Sequence, residues 1–183
     1  MSLTESTLMP LSSIAPDFTL PDTSTNDSIS LKDYAGRAVL IAFICNHCPY
    51  VVHLIDELAD TAHQFADEGI ATIAISANDA ASYPADAPDK MAVLAQQKGF
   101  RFPYCHDESQ SVARAYNAVC TPDLYLFNAE HKLFYRGQFD DTRPGQGKPH
   151  GQDLKDAAAL MIAGKNPPTN TKPSVGCSIK WKR

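Results

Sequence analysis

The sequence predicts a single α/β domain in which helices cover both faces of a central mixed β-sheet. Two observations carry this prediction: a strand–helix–strand unit spans residues 38–76, and a β-hairpin follows at residues 124–137. A strand–helix–strand unit places its strands in parallel, whereas a hairpin adds antiparallel strands. With 183 residues, the chain is long enough to bury a hydrophobic core without disulfide staples.

The strand–helix–strand unit begins with residues 38–44, a continuous apolar run that follows Gly36. Such a run is typical of a fully buried strand. In residues 50–67, apolar side chains recur every three or four residues, which predicts one buried helix face, and Gly69 ends the helix. Residues 70–76 form a second apolar run and are predicted to be the parallel partner strand.

The remainder of the chain alternates loops with shorter elements, because clusters of Pro, Gly and Asp interrupt its apolar patterns. In chain order we predict a loop (79–89), helices (91–98 and 109–116), hairpin strands (124–128 and 133–137), a loop (139–151), a last helix (153–163) and an extended stretch (166–174).

The same pattern divides the chain into three parts. Residues 1–13 are rich in Ser and Thr and are predicted to be a flexible N-terminal arm. Residues 14–165 form the domain, and residues 166–183 form a tail that carries Cys177.

Composition excludes some classes of function. Sixteen basic against twenty-one acidic residues give a net charge of −5, which is the wrong sign for a nucleic-acid-binding surface. No uncharged apolar run approaches the ~18 residues that a membrane span needs. The N-terminus lacks the pattern of a secretory signal, so we expect a cytoplasmic protein without a membrane partner.

Cys45 and Cys48 lie at the junction between the first long strand and the first long helix. A two-residue spacer at a helix start lets two sulfurs approach bonding distance, and the helix N-terminus stabilises a thiolate. Pro49 fits the first helical turn, where amide groups have no helical partner. A Cys-x-x-Cys pair in this position predicts thiol–disulfide exchange, with Cys45 as the exposed attacking thiolate and Cys48 as the resolving thiol.

Two other residues, His47 and Cys177, are candidates for supporting roles. His47 precedes Cys48, where an imidazole favours the thiolate and tunes the redox potential; a solvent-facing spacer is the alternative interpretation. Cys177 offers a third thiol for a relay, the alternative being a lone cysteine packed on the domain. Cys105 and Cys120 are predicted to be buried structural thiols.

Five stretches of the chain carry a wider resemblance: residues 15–20, 45–51, 76–79, 136–141 and 176–182. The first resembles the entry segment of the AhpC/TSA group of the thioredoxin-like superfamily, and the other four resemble the peroxiredoxin-like 1 family. This resemblance implies a thioredoxin-like fold with an N-terminal β extension. The Thr121–Pro122 bond lies after the cysteine pair and opens the hairpin, a position that predicts a cis bond, with an ordinary trans turn as the alternative. In a thioredoxin-like fold such a bond lies against the cysteine pair, where Thr121 and Pro122 shape the surface that receives a partner.

The sequence departs from both better-known branches of that superfamily. Peroxiredoxins surround their reactive cysteine with hydrogen-bond donors for the peroxide, and neither Cys45 nor Cys48 placed in that position restores those donors. Thioredoxins carry a buried aspartate on the strand before the pair, where this chain has Val39. We therefore expect the corresponding proton relay to be missing or to come from elsewhere in the chain.

The leading prediction is a thiol–disulfide oxidoreductase, a monomer or homodimer without organic cofactor, that acts on protein or small-molecule thiols and disulfides. A thiol-dependent peroxidase, for which peroxides are substrates, is the second prediction. The third is a copper- or zinc-delivery module that joins the cysteine pair to a histidine such as His47, His131 or His150. No spacing fixes that histidine, so the leading prediction assigns no metal ligand.

Overall fold

The computed structural model describes residues 3–183, which contain ten strands and four α-helices. Two short 3₁₀ turns lie at Leu31–Tyr34 and Pro84–Asp86. The strands and helices follow in the order β1 (Leu3–Glu5), β2 (Thr19–Pro21), β3 (Ser28–Ser30), β4 (Ala38–Phe43), α1 (Pro49–Asp67), β5 (Ile70–Ser76), α2 (Pro88–Gln97), β6 (Tyr104–His106), α3 (Ser111–Ala115), β7 (Cys120–Thr121), β8 (Asp123–Phe127), β9 (Leu133–Gly137), α4 (Gln152–Ile162) and β10 (Val175–Ser178).

The central sheet has five strands in the order β6-β5-β4-β8-β9. Strands β4, β5 and β6 are parallel, whereas β8 and β9 join the sheet as an antiparallel hairpin. Helix α1 provides the crossover that the parallel pair β4–β5 requires. The predicted mixed sheet is therefore confirmed, and the cysteine pair lies between β4 and α1 at its centre.

Both faces of this sheet are buried, which explains why β4 reads as a continuous apolar run. Leu40 and Ala42 face a core that contains side chains of α1, α2 and α4. Val39 and Ile41 face a second core, built by α3 and by side chains of the N-terminal residues 15–31. The prediction that helices cover both faces is confirmed.

The two ends of the chain are more ordered than the sequence suggests. Leu3–Glu5 pairs antiparallel with β10, and β10 pairs antiparallel with β7, so the ends form a separate sheet, β1-β10-β7. The expectation of a flexible arm is therefore wrong for residues 3–5, while residues 1 and 2 lie outside the described part of the chain. Strand β1 forms because it provides hydrogen-bond partners for the backbone groups on one side of β10. The sequence does not reveal it, because a three-residue strand is too short to show an alternating apolar pattern.

Smaller differences concern boundaries. Helix α2 begins at Pro88, three residues before the predicted start and inside the predicted loop 79–89. Proline suits this position because the first helical turn does not use its missing N–H group. Among residues 3–183, none of the helices is both long and apolar enough to cross a bilayer.

Candidate functional site

The cysteine pair lies at the N-terminus of α1, against Thr121. Cys48 is the N-cap residue of this helix, and Pro49 is its first residue. The Cys45 sulfur is 3.3 Å from the Thr121 hydroxyl oxygen, and the Cys48 sulfur is 3.2 Å from the Thr121 carbonyl oxygen, which accepts the Cys48 proton when that thiol is protonated. The Thr121–Pro122 bond is cis, as predicted from its place between the cysteine pair and the hairpin.

Neither thiol is exposed. Cys45 is 1% exposed and Cys48 0%, and both are reduced. The expected exposure of Cys45 is therefore wrong. The reason is tertiary: Thr121 covers both sulfurs, and Cys177 lies against Cys48, where its thiol forms a hydrogen bond with the Cys48 sulfur. The structure thus places the thiols of Cys45 and Cys177 beside the Cys48 sulfur.

The electrostatics of the pair favour a thiolate on Cys48. A hydrogen bond from the Cys45 thiol is the main cause that lowers the pKa of Cys48 to about 5, against the opposing effect of burial. The thiol of Cys177 and nearby backbone N–H groups contribute further, as does the positive end of α1. The same hydrogen bond, burial and the charge of Asp86 raise the pKa of Cys45. This distribution reverses the expected one, in which Cys45 carries the charge.

A buried carboxylate lies beside the pair. Asp86 is 0% exposed and accepts hydrogen bonds from the Asn46 N–H (2.8 Å) and the Asn78 side-chain amide (2.8 Å). The Nδ1 atom of His47 lies 2.6 Å from Asp86, and because a carboxylate only accepts, Nδ1 carries the proton. The His47 ring also stacks on Tyr83 at 5.5 Å. His47 is therefore held in place and is not a solvent-facing spacer.

The sequence analysis did not identify Asp86, which lies in the predicted loop 79–89. No sequence pattern near Asp86 places it beside the cysteines. Two of the stretches that resemble the peroxiredoxin-like 1 family do contain residues that surround it. Asn78, from the stretch 76–79, donates to Asp86 and accepts a hydrogen bond from the Lys180 N–H over 2.8 Å. Two of those stretches, 76–79 and 176–182, thus meet at the site. Asp86 therefore lies beside Cys45, with a carboxylate oxygen within 4.8 Å of the Cys45 sulfur.

Asp140 organises the loop beside Pro122. Its carboxylate accepts hydrogen bonds from the Thr142 hydroxyl (2.6 Å) and from the N–H groups of His150 and Gly151 (2.7 Å each). His53 of α1 is hydrogen-bonded to Thr142 over 2.9 Å, which ties this loop to the helix that carries the pair. Burial by itself raises the pKa of Asp140, but these hydrogen bonds outweigh it and hold the value at about 2.

We expect Asp140→Asn to reduce the free energy of unfolding by about 1–2 kcal/mol at neutral pH, because the amide is a weaker acceptor. The wild-type contribution is complete above the pKa of an unfolded aspartate, about 4, and is lost as the pH falls through about 2. Denaturant unfolding at a series of pH values checks this, and the two proteins should converge in acid. Asp141→Asn, at an exposed position, is the matched control; an equal loss there would contradict the prediction.

Two groups of described residues bring three metal-ligating atoms within 4.8 Å of one another. In the first, Cys45, His47 and Asp86, the His47 ring and the Asp86 carboxylate are hydrogen-bonded directly to each other. The second, Asp140, Asp141 and His150, lies on the loop and contains no cysteine. Of the three histidines considered for a copper or zinc site, only His47 therefore lies with the pair, whereas the Nε2 atom of His131 faces two backbone carbonyls, of Tyr34 and Arg37.

The other two cysteines lie in the interior. Cys105 and Cys120 are both 0% exposed, and burial raises the pKa of each thiol, to about 12 for Cys105. Neutral buried thiols are poor nucleophiles, so both fit the predicted structural role.

Comparison with known proteins relates this geometry to a family. The AhpC/TSA family model matches residues 11–136, more than two-thirds of the chain. The thiol-disulfide oxidoreductase ResA of Geobacillus kaustophilus is 28% identical over 139 residues, which cover 73% of this chain and 74% of that protein.

Solved structures agree with this relationship. An uncharacterized conserved protein of Geobacillus kaustophilus superposes with a TM-score of 0.96 at 43% identity, covering 100% of this chain and 97% of that one. The thioredoxin domain of a thiol-disulfide oxidoreductase from Bacteroides vulgatus has a TM-score of 0.64 at 19% identity, covering 81% and 98%. The chain therefore has the thioredoxin-like fold and belongs to the AhpC/TSA family.

Proposed function

We propose that the protein is a thiol–disulfide oxidoreductase whose Cys45–Cys48 pair exchanges electrons with thiols and disulfides of proteins or small molecules. The observation that carries this proposal is the position of Cys45 and Cys48 at the N-terminus of α1, where both sulfurs lie within hydrogen-bond range of Thr121 and the pKa of Cys48 is lowered to about 5. Membership of the AhpC/TSA family and the similarity to a thiol-disulfide oxidoreductase support a redox function for these thiols.

In the proposed reaction, the Cys48 thiolate attacks one sulfur of a partner disulfide. A mixed disulfide forms, and the second partner sulfur leaves as a thiolate. Cys45 then loses its proton and attacks Cys48, which forms the Cys45–Cys48 disulfide and releases the reduced partner. Two electrons pass from the pair to the partner, and the reverse sequence oxidises a partner dithiol.

The second step requires a base near Cys45. A ring nitrogen of His47 and a carboxylate oxygen of Asp86 lie within 4.8 Å of the Cys45 sulfur and of each other. The hydrogen bond between them fixes the His47 ring beside Cys45, so this pair is suited to receive the Cys45 proton. We assign it the role that the missing aspartate at Val39 has in thioredoxins.

The surroundings of Cys48 favour disulfide exchange over a specialised peroxidase. Thr121 presents its carbonyl oxygen to the Cys48 sulfur at 3.2 Å, and a carbonyl oxygen accepts hydrogen bonds but gives none to the oxygen of a peroxide. Since both thiols are buried, a partner reaches them only when covering residues move aside.

A glutathione redox titration tests the proposal. Samples are quenched in acid, alkylated in denaturant and examined by mass spectrometry for the disulfide within residues 45–48. We expect a two-electron transition, and its midpoint identifies the direction of electron flow on the scale of known dithiol proteins. Cys105→Ala, which removes a buried thiol outside the pair, should give the same midpoint. If residues 45 and 48 remain fully reduced across the titration, the proposed function is wrong.

A further inference from the structure

We propose that Cys177 is a third redox thiol of this site and that Cys48 is shared, so that the disulfide alternates between Cys45–Cys48 and Cys48–Cys177. This inference rests on the proposed function of the pair and extends it to the C-terminal strand. It predicts a disulfide that links the start of α1 to β10.

Backbone pairing places Cys177 at the pair. In the β10–β7 ladder, Cys177 lies directly opposite Thr121, whose carbonyl oxygen is 3.2 Å from the Cys48 sulfur. Hydrogen bonds from the Cys177 thiol and from its backbone N–H to that sulfur are among the causes that lower the pKa of Cys48. A sulfur that already lies at hydrogen-bond range needs only a small movement to reach bonding distance.

The strand that carries Cys177 is fixed on both sides and at its end. It is the middle strand of the sheet β1-β10-β7, and beyond it the N–H of Ile179 donates to the Val119 carbonyl. Asn78 and Asp79 form further hydrogen bonds with the backbone of Lys180. Cys177 is therefore presented to Cys48 by structure and does not approach it as part of a loose tail.

Gly176 makes this close approach possible. A Cβ atom at position 176 would lie 1.9 Å from the Thr121 carbonyl oxygen, which is a backbone atom that cannot easily yield. The absence of a side chain lets β10 lie against the segment that contacts both cysteines. A larger residue at this position must push β10, and with it Cys177, away from Cys48.

Oxidation of the Cys45–Cys48 pair makes it easier for Cys177 to form a thiolate. In the reduced protein, burial, the hydrogen bond with Cys48 and the Cys48 charge together raise the pKa of Cys177 to about 12. A Cys45–Cys48 disulfide removes that charge, while Lys180 still favours the thiolate of Cys177. Cys177 thus becomes more nucleophilic when Cys48 has become a target.

The step is a thiol–disulfide exchange without net oxidation. Cys177 loses its proton, and its thiolate attacks the Cys48 sulfur of the Cys45–Cys48 disulfide. The Cys48–Cys177 bond forms as the Cys45–Cys48 bond breaks, and Cys45 leaves as a thiolate that takes up a proton. Cys45 is then free again, and the oxidising equivalent is stored at the C-terminal strand.

Peptide mapping of the full chain tests this assignment. Between Arg37 and Lys90 the sequence has no other Lys or Arg, so trypsin leaves Cys45 and Cys48 in one peptide and Cys177 in another. A Cys48–Cys177 disulfide therefore joins two peptides, whereas Cys45–Cys48 stays within one. Wild type, Cys45→Ser and Cys177→Ser are oxidised with diamide, quenched in acid and digested.

We expect the two-peptide linkage in most molecules of Cys45→Ser and in a fraction of partially oxidised wild type. If Cys48 and Cys177 of Cys45→Ser both stay free, the inference is wrong, even though Cys177→Ser forms its Cys45–Cys48 disulfide. If Cys177→Ser forms no such disulfide, the proposed function of the pair fails, and the linkage in Cys45→Ser still decides the role of Cys177.

Gly176→Ala, placed in the Cys45→Ser protein, adds a geometric test. We expect the yield of the two-peptide linkage to fall several-fold, while Gly176→Ala in the Cys177→Ser protein leaves the Cys45–Cys48 disulfide at its former yield. A linkage yield that does not change with Gly176→Ala contradicts the assigned contact between β10 and Cys48.

Discussion

Serine in place of Cys48 is expected to abolish disulfide exchange, whereas serine in place of Cys45 leaves the first attack intact. The reason is the distribution of charge: the pKa of Cys48 is lowered to about 5, while that of Cys45 is raised. At neutral pH almost all of the wild-type protein then carries a thiolate on Cys48 and a neutral thiol on Cys45. Only a thiolate attacks a disulfide at a useful rate.

An aryl disulfide whose released thiolate is coloured measures this first attack directly. We expect its rate to fall by at least ~10²-fold in Cys48→Ser, because the remaining thiols are almost fully protonated at neutral pH. Cys45→Ser should still release the coloured thiolate in a rapid burst. Cys105→Ala is the control for loss of a thiol elsewhere and should react like wild type.

The pH profile of the burst distinguishes this assignment from the opposite one. The wild-type rate should rise as the pH increases through about 5 and then level off, because the Cys48 thiolate is by then fully formed. The opposite outcome, in which Cys45→Ser is inert and Cys48→Ser attacks, would restore the order expected from sequence alone. It would show that the charge moves to Cys45 when a partner opens the site.

The parts of the site that the sequence predicts are those encoded locally. The apolar run of β4, the helical period of α1 and Pro49 together place Cys45 and Cys48 at a helix start, and the structure agrees. The cis bond before Pro122 was predicted from its place after the cysteine pair and at the start of the hairpin, and the structure confirms it.

The missing parts depend on contacts between distant segments. Asp86 reaches His47 across a loop that has no periodic pattern, and Cys177 reaches Cys48 through a strand of only four residues. The burial of Cys45 and Cys48 arises from those same contacts, because the residues that cover them come from β7 and β10. No pattern within residues 45–48 reveals that the charge of Asp86 raises the pKa of Cys45.

Arg136→Met is expected to have the largest effect on stability. Arg136 and Asp123 form a buried ion pair in which Nη2 donates to the carboxylate over 2.8 Å, with side-chain exposures of 5% and 0%. The guanidinium also lies 4.4 Å from the centre of the Tyr125 ring. Removal of one partner from such a pair leaves a buried charge without compensation, so we expect the free energy of unfolding to fall by about 3–5 kcal/mol.

This ion pair also supports the site, because Asp123 directly follows Pro122. Denaturant unfolding measures the loss, and Lys155→Met is the matched control. Lys155 forms a 2.8 Å ion pair with Glu57 in which both side chains are about a quarter exposed, so its loss should cost about 1 kcal/mol or less. Asp123→Asn combined with Arg136→Met should recover part of the stability, since no charge is then left buried.

The pH dependence identifies the uncompensated carboxylate as the cause. Burial raises the pKa of Asp123, and Arg136 opposes that effect. Without the arginine, the folded-state pKa lies further above the unfolded value of about 4, so stability is present in acid and is lost as the pH rises through the folded-state pKa. The deficit of Arg136→Met relative to wild type should therefore be smaller at about pH 4 than at about pH 7. A deficit of equal size at both pH values would mean that lost packing on Tyr125, and not the buried charge, destabilises the variant.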